Sequence, residues 1–231
     1  MASQPSLREQ VTEVLRGSVI TGAMRPGELY SVPALAEKFG VSATPVREAM
    51  LDIAKEGLVE AVRNKGFRVT EPTDDELDDV NDLRMLIEVP TCARIAGGYS
   101  SAWDAELDAL RALAGQIVAH AGKCDLVAYV EADRHFHLRL LALAGNAELV
   151  DVVGRLRARS RLYGLERLAQ QGTLGRSAAE HFELLDAVVA RDPARAADVM
   201  RRHIRHVRGL WAGRGANDTA VTKPQRRSMR A

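Results

Sequence analysis

Cysteine, charge of a single sign and long apolar runs are all missing or scarce in this chain of 231 residues. Only 2 cysteines occur, Cys92 and Cys124. They make neither a disulfide framework nor a CxxC pair, so two buried, reduced thiols are expected. There is no secretory signal pattern, and no apolar run is long enough to span a bilayer. A cytoplasmic protein with no membrane partner is expected. The 32 Lys and Arg residues almost cancel 31 Asp and Glu, leaving a net charge of +1. Any attraction to a polyanion must therefore come from local patches. Such patches exist: Arg63, Lys65 and Arg68 crowd one short stretch, Asp74 to Asp82 is acidic, and Lys223 to Arg230 is basic. Apolar residues make up 46% of the chain, enough for two modest cores.

What is present begins with three helical patterns, the second and third meeting at Gly40-Val41-Ser42. Leu7, Val11, Val14, Leu15 and Ser18 make one stripe of a first helix from Ser6 to about Gly22, and Arg8 near its start is placed to reach a phosphate or to remain solvated. After the turn Arg25-Pro26-Gly27-Glu28, Leu29 to Val32 leads into a helix ending near Phe39. A third helix follows Gly40-Val41-Ser42, capped by Ser42 or Thr44, with Pro45 tolerated in its first turn. Val46, Ala49, Met50 and Ile53 repeat at helical spacing and pack inward, which leaves Ala43, Thr44 and Arg47 on an outer face. Asn64-Lys65-Gly66 between Val59–Val62 and Phe67–Val69 reads as a β-hairpin with a basic tip. Together these predict a winged helix-turn-helix over residues 1–72.

Val41 to Met50, Glu56-Gly57-Leu58-Val59 and Asn64-Lys65-Gly66-Phe67 resemble the DNA-binding domain of GntR-type bacterial transcription regulators. The resemblance implies a double-stranded DNA operator as partner. It assigns Arg47 to base reading, with Thr44 and the wing residues Asn64, Lys65 and Gly66 contacting phosphate or groove. Many members of that family carry basic residues where Pro33 and Ala43 stand, so the operator preference of relatives does not transfer.

Beyond Glu71-Pro72, Thr73-Asp74-Asp75-Glu76 is a capping box that opens a long helix reaching about Gly98, which Pro90 interrupts and should kink, and which carries Arg84 and Glu88 one turn apart. Further helices are expected over Ser101 to Ala121, Asp125 to Ala144, and Asn146 to about Gln170. A loop at Gly172 to Gly175 and a second capping box, Ser177-Ala-Ala-Glu180, precede the next helix. Asp192-Pro193 opens the last. No convincing strand occurs here, so residues 73–214 read as an antiparallel all-α bundle. The fold class is mainly α, and the basic tail 215–231 lacks hydrophobic periodicity.

Inside the bundle, Asp133 and His137 leave one helix on the same face, while His181 lies in a stripe with Leu184, Leu185 and Val188, and His203 in one with Met200, Ile204 and Val207. Three histidines and an aspartate on facing helices can converge on a divalent transition metal, although buried histidines also occur merely hydrogen-bonded. Asp133-Arg-His-Phe-His137, Ala144-Gly145-Asn146, Glu180-His181, Arg191-Asp192 and His203 resemble the FCD-type effector domain of the FadR subfamily of GntR regulators.

That resemblance implies metal ligands Asp133, His137, His181 and His203, with zinc foremost and nickel, manganese or iron as alternatives. His206 is the substitute if the assignment slips by one turn; His135 points elsewhere and His120 has no such company. A small carboxylate is the expected effector, because an open metal position and guanidinium groups favour an oxygen anion. Arg84 is the first candidate for a cavity arginine, with pairing to Glu88 as its alternative, and Arg159 and Tyr163 are candidates one turn apart. The expectation is thus a homodimeric, metabolite-responsive regulator, a repressor by the commoner mode, on a pseudo-palindromic operator. The rival is a metal-dependent hydrolytic enzyme using the Asp/His cluster, for which no acid, base or cleft is specified.

Overall fold

The computed structural model describes residues 6–160 and 174–211, with side chains as far as Arg205. Tyr163, the side chain of His206, the expected stretch to Gln170 and the basic tail lie outside the described residues.

The front of the chain forms helices α1 (Leu7–Ile20), α2 (Val32–Phe39) and α3 (Ala43–Lys55), with strands β1 (Leu29–Tyr30), β2 (Val59–Val62) and β3 (Gly66–Val69). Ser6 and Glu9 close a capping box on α1. Gly40 ends α2 with φ 65, a left-handed conformation that glycine adopts without strain, and this turns the chain into α3. Ser42 is the N-cap residue of α3, but its side chain makes no capping bond. Val46, Ala49, Met50 and Ile53 are all 0% exposed, so the helical spacing of these residues selects the packed face.

The three strands are antiparallel in the order β1–β3–β2. The two residues of β1, which the sequence offers only as a lead into α2, pair Leu29 with Arg68 and Tyr30 with Phe67. A strand this short has no alternation to read. Its approach also explains Gly66. A Cβ there would sit 2.2 Å from the Tyr30 carbonyl oxygen, and φ is 127, so packing alone requires glycine at the wing.

The rear is an all-α bundle of α4 (Asp74–Gly97), α5 (Asp104–Lys123), α6 (Leu126–Ala142), α7 (Ala147–Ser160), α8 (Leu174–Val189) and α9 (Pro193–Trp211). Thr73 and Glu76 cap α4 as a closed capping box, and Asn146 and Asp192 accept backbone N–H bonds at the starts of α7 and α9. Pro90 lies inside α4, which runs through it to Gly97, next to the expected end near Gly98. One local expectation fails. Ser177-Ala-Ala-Glu180 is not a cap, because α8 already begins at Leu174 and both Ser177 and Glu180 are buried on its inner face.

Two apolar clusters fill the molecule, one inside the winged domain and one inside the bundle; Ile20 of α1 belongs to the second. Cys92 is buried in that core, where burial pushes its thiol up to about 12. Cys124 departs from expectation: it is exposed, at the left-handed end of α5. Among the described residues no helix is long and apolar enough to cross a membrane.

Candidate metal centre and nucleic-acid interface

Three bundle helices each deliver part of one buried cluster. Asp133 and His137 come from α6, His181 from α8 and His203 from α9, and all four are buried. Their donor atoms lie within 4.8 Å of one another. Nε2 of His137 is 3.1 Å from Nε2 of both His181 and His203, and Nε2 of His181 is 3.1 Å from Asp133 Oδ1. Asp133 Oδ1 stands 3.7 Å from His137 Nε2 and 4.0 Å from His203 Nε2. Ligands sharing one small cation with bonds of about 2.1 Å sit roughly 3.0–3.4 Å apart when adjacent; the three 3.1 Å contacts match that spacing, and the 3.7 and 4.0 Å separations from Asp133 Oδ1 are wider.

The proton inventory supports the same conclusion. His181 Nδ1 lies 2.9 Å from the Ala178 carbonyl oxygen, which only accepts, so Nδ1 carries the proton and donates it. His203 Nδ1 donates in the same way to Glu180 Oε2 at 2.9 Å. Burial, foremost, drives the His203 pKa down to about 3 and that of His137 well below its usual 6.5. Rings that are neutral and protonated at Nδ1 present lone pairs at Nε2. The lone pair of His203 thus points at His137 Nε2. His137 has at most one proton to offer on Nε2, so the three 3.1 Å contacts cannot all be hydrogen bonds. A cation satisfies every one of them, and the Nδ1 partners fix the ring orientations as metal sites require.

Beside this cluster runs a buried ion network that composition does not reveal. Arg157 of α7 donates Nε and Nη2 to Glu88 Oε2 at 3.0 and 2.7 Å, and Nη1 to Asp133 Oδ2 at 3.2 Å. Arg84 donates Nε to Glu88 Oε1 at 2.7 Å and Nη1 to Ser160 Oγ at 3.2 Å. Burial pulls the Glu88 carboxyl upward, yet Arg157 and Arg84 together hold it down at about 2. Burial also lowers Arg84 to about 10, which leaves it charged at neutral pH. Asp133 is thereby anchored through Oδ2 while Oδ1 faces the histidines.

Arg84 is therefore inside the molecule, committed to Glu88 and Ser160. Arg159 does not join this buried network. It is exposed and faces Gly57 of the winged domain, because two residues of helix turn it about 200° away from Arg157. The signal that identifies Arg157 is its place in the inward stripe Val153, Leu156, Arg157 and Ser160. Glu180, read locally as a cap, is the carboxylate that orients His203 and is itself bonded by Arg202 Nε at 3.1 Å.

At the other end, Thr44 and Arg47 are exposed on α3, and Asn64 and Lys65 are exposed at the wing tip. Asn64 takes φ 59, a left-handed turn position that asparagine tolerates. Among the described residues no carboxylate pairs with Arg47, because Asp52 is taken by Arg8 and Lys55. Arg8 itself stays on the surface, 47% exposed, and is paired there with Asp52.

Buried histidines that stay neutral make a pH prediction. The unfolded chain takes up protons near pH 6.5 that folded His203 and His137 refuse. Stability is level above pH 6.5 and falls as pH drops from there toward 3. Glu88 acts lower, its contribution being complete above 4.5 and lost as pH falls through about 2. Melting of chelator-treated protein should therefore begin to drop below pH 6.5, and a midpoint that stays flat to pH 4.5 would contradict neutral histidines.

A winged helix-turn-helix with an open recognition face, joined to a helical bundle holding a polar centre, defines a DNA-binding transcription regulator. This chain belongs to the GntR family: residues 7–69 match the bacterial regulatory proteins of the gntR family and residues 79–206 match the FCD domain. It is 29% identical over 195 residues to the HTH-type transcriptional repressor GlaR of Escherichia coli, covering 82% of this chain and 89% of that one. It is 31% identical over 206 residues to an HTH-type transcriptional regulator in an unstable DNA locus of Streptomyces ambofaciens, covering 87% and 83%. The solved structure of E. coli McbR shares the fold, with a TM-score of 0.73 at 23% identity over 91% of this chain and 99% of that one. These relatives are regulators rather than enzymes, and the hydrolytic alternative draws no support from them.

Proposed function

We propose that this regulator is a homodimeric repressor that reads a pseudo-palindromic operator and senses a small carboxylate at a metal centre of Asp133, His137, His181 and His203. The observation that carries the reading is the convergence of three buried Nε2 atoms and Asp133 Oδ1 at contacts of 3.1 Å. Zinc suits three imidazoles and a carboxylate, as do nickel, manganese and iron. The metal, when bound, supplies Lewis acidity toward an oxygen anion.

Charge supports the effector class. Arg84 and Arg157 balance Glu88 and Asp133, and Arg202 balances Glu180, before any cation is counted. A divalent ion adds positive charge that a carboxylate ligand offsets. Arg84 remains a candidate for contact with that ligand, because it lies in the same network. Dimerisation is supported by α4, whose Leu83 (47% exposed) and Leu86 (73% exposed) make an outward apolar stripe with exposed Pro90. Two copies joined there present two recognition helices, each with Thr44 and Arg47, and two wings with Asn64, Lys65 and Gly66 near the backbone. The cytoplasm, where the chromosome of a bacterium lies, is its place of work. The domain limits that fit this division are 1–72, 73–214 and a tail from 215.

Substituting His181→Ala tests the centre. Removing one of four ligands should lower metal content from about one ion per chain to well below half after dialysis, with specific DNA binding by the unliganded protein retained. Full metal occupancy in the variant would remove His181 from the ligand set, and the hydrogen-bonded cluster would then stand as plain core structure.

A further inference from the structure

Helix α7 touches both ends of the regulator. Its Arg157 points inward and holds Asp133 Oδ2, the carboxylate whose other oxygen faces the histidines. Its Arg159, two residues on, points outward against the winged domain. Arg159 Cγ lies 3.0 Å, and Cδ 3.6 Å, from where a Cβ on Gly57 would stand. The arginine stem thus rests on a backbone position that is open only because residue 57 is glycine, held at φ 79.

Gly57 is not an arbitrary point of contact. It follows Glu56, the C-cap of the recognition helix α3, and is separated only by Leu58 from strand β2 of the wing. Its N–H donates to the Ala54 carbonyl of α3, and its carbonyl accepts from Thr70 Oγ1 at 2.8 Å at the end of β3. Recognition helix and wing, the two parts that meet DNA, are therefore tied to one another at the residue on which Arg159 rests. The space around the arginine head is a cleft of about 530 Å³ between the domains, also lined by Glu60, Arg68, Glu71 and Glu76.

We infer that α7 is the coupling element of this protein, with Arg159 a positioning residue that passes a shift of Arg157 and Asp133 to the joint between recognition helix and wing. A helix is stiff over two residues, and a packed core does not absorb the displacement of a buried guanidinium, so movement at the centre reappears at the outer face. The inference rests on the metal reading of the Asp/His cluster. Coupling of this kind is a free energy shared between two sites, commonly worth at least roughly fivefold in an equilibrium.

Hydrogen exchange on the full-length, chelator-stripped protein, with and without zinc ion, tests it. Zinc should slow exchange in α6 and α8 equally in the wild type and in Arg159→Ala, since neither ligands nor Arg157 are altered. At residues 57–70 the wild type should slow by roughly fivefold or more, Arg159→Ala by less than about twofold, and Arg159→Lys, which keeps an alkyl stem against Gly57, should come close to the wild type. Equal slowing at 57–70 in Arg159→Ala, or none there in the wild type, overturns the coupling. No slowing in α6 and α8 in any variant overturns the metal reading itself, and the two failures are told apart by which peptides respond.

Discussion

Arg157→Met should destabilise the protein by about 3–5 kcal/mol, the cost of removing one partner from a buried ionic group. The side chain is 1% exposed and supplies three hydrogen bonds, two to Glu88 and one to Asp133. Methionine fills similar volume, so a cavity contributes little and the loss is electrostatic. Glu88, itself 0% exposed, is left with Arg84 alone, and burial then raises its carboxyl from about 2. Loss on this scale is a large fraction of the roughly 5–15 kcal/mol that a domain has in hand. The variant should also hold metal about 10–100-fold more weakly, since Asp133 loses the group that orients it. Urea unfolding at pH 7 with the double variant Arg157→Met/Glu88→Gln separates the causes. The double change should cost less than the sum of the single ones, because each single change strands an opposite charge. A loss below about 1 kcal/mol for Arg157→Met would mean that the network is not what holds α4, α6 and α7 together.

Arg47→Ala should abolish discrimination between operator and random DNA while leaving the fold intact. The side chain is exposed, near the start of α3, and unpaired with any carboxylate among the described residues. A bidentate contact to a base edge is worth about 1–3 kcal/mol. In the proposed dimer on a symmetric site, two recognition helices double this to about 2–6 kcal/mol, or roughly 30-fold to beyond 10⁴-fold in affinity. Lys65→Ala at the wing should behave differently, weakening binding about uniformly across sequences and lowering the salt slope by about 1. Fluorescence anisotropy on a duplex that the protein itself selects from a random pool, at several salt concentrations, distinguishes the two. Wild-type preference retained by Arg47→Ala would move base reading elsewhere on α3 or the wing. Unchanged melting of both variants would place the effect at the interface rather than in stability.

Much of the winged domain is legible along the chain because its signals are local. The inward spacing of Val46, Ala49, Met50 and Ile53, the left-handed Gly40 and the hairpin around Asn64 each act within a few residues. The Asp133–His137 spacing and the stripes around His181 and His203 are also local, which is why the chain itself points to all four cluster members. What misleads are residues whose local and distant partners compete. Ser177 and Glu180 have cap spacing, but packing buries both within α8, where Glu180 serves His203 on α9. Arg8 looks free along the sequence and is taken by Asp52, 44 positions away. Cys124 looks like a core thiol, yet the end of α5 turns it outward.

The amino-acid sequence by itself determined the order of helices, the outer face of α3 and the inward stripes that carry Asp133, His137, His181 and His203, because periodicity and capping are decided by side chains a turn or less apart. Tertiary structure alone decided that Arg157 rather than Arg159 faces Asp133, that Glu88 unites two arginines, and that Gly57 receives the outer face of α7. Those choices depend on the rotation of α7 against α4 and α6, which is set by burying one stripe among several candidates. No single stretch of sequence contains the neighbour against which that choice is made.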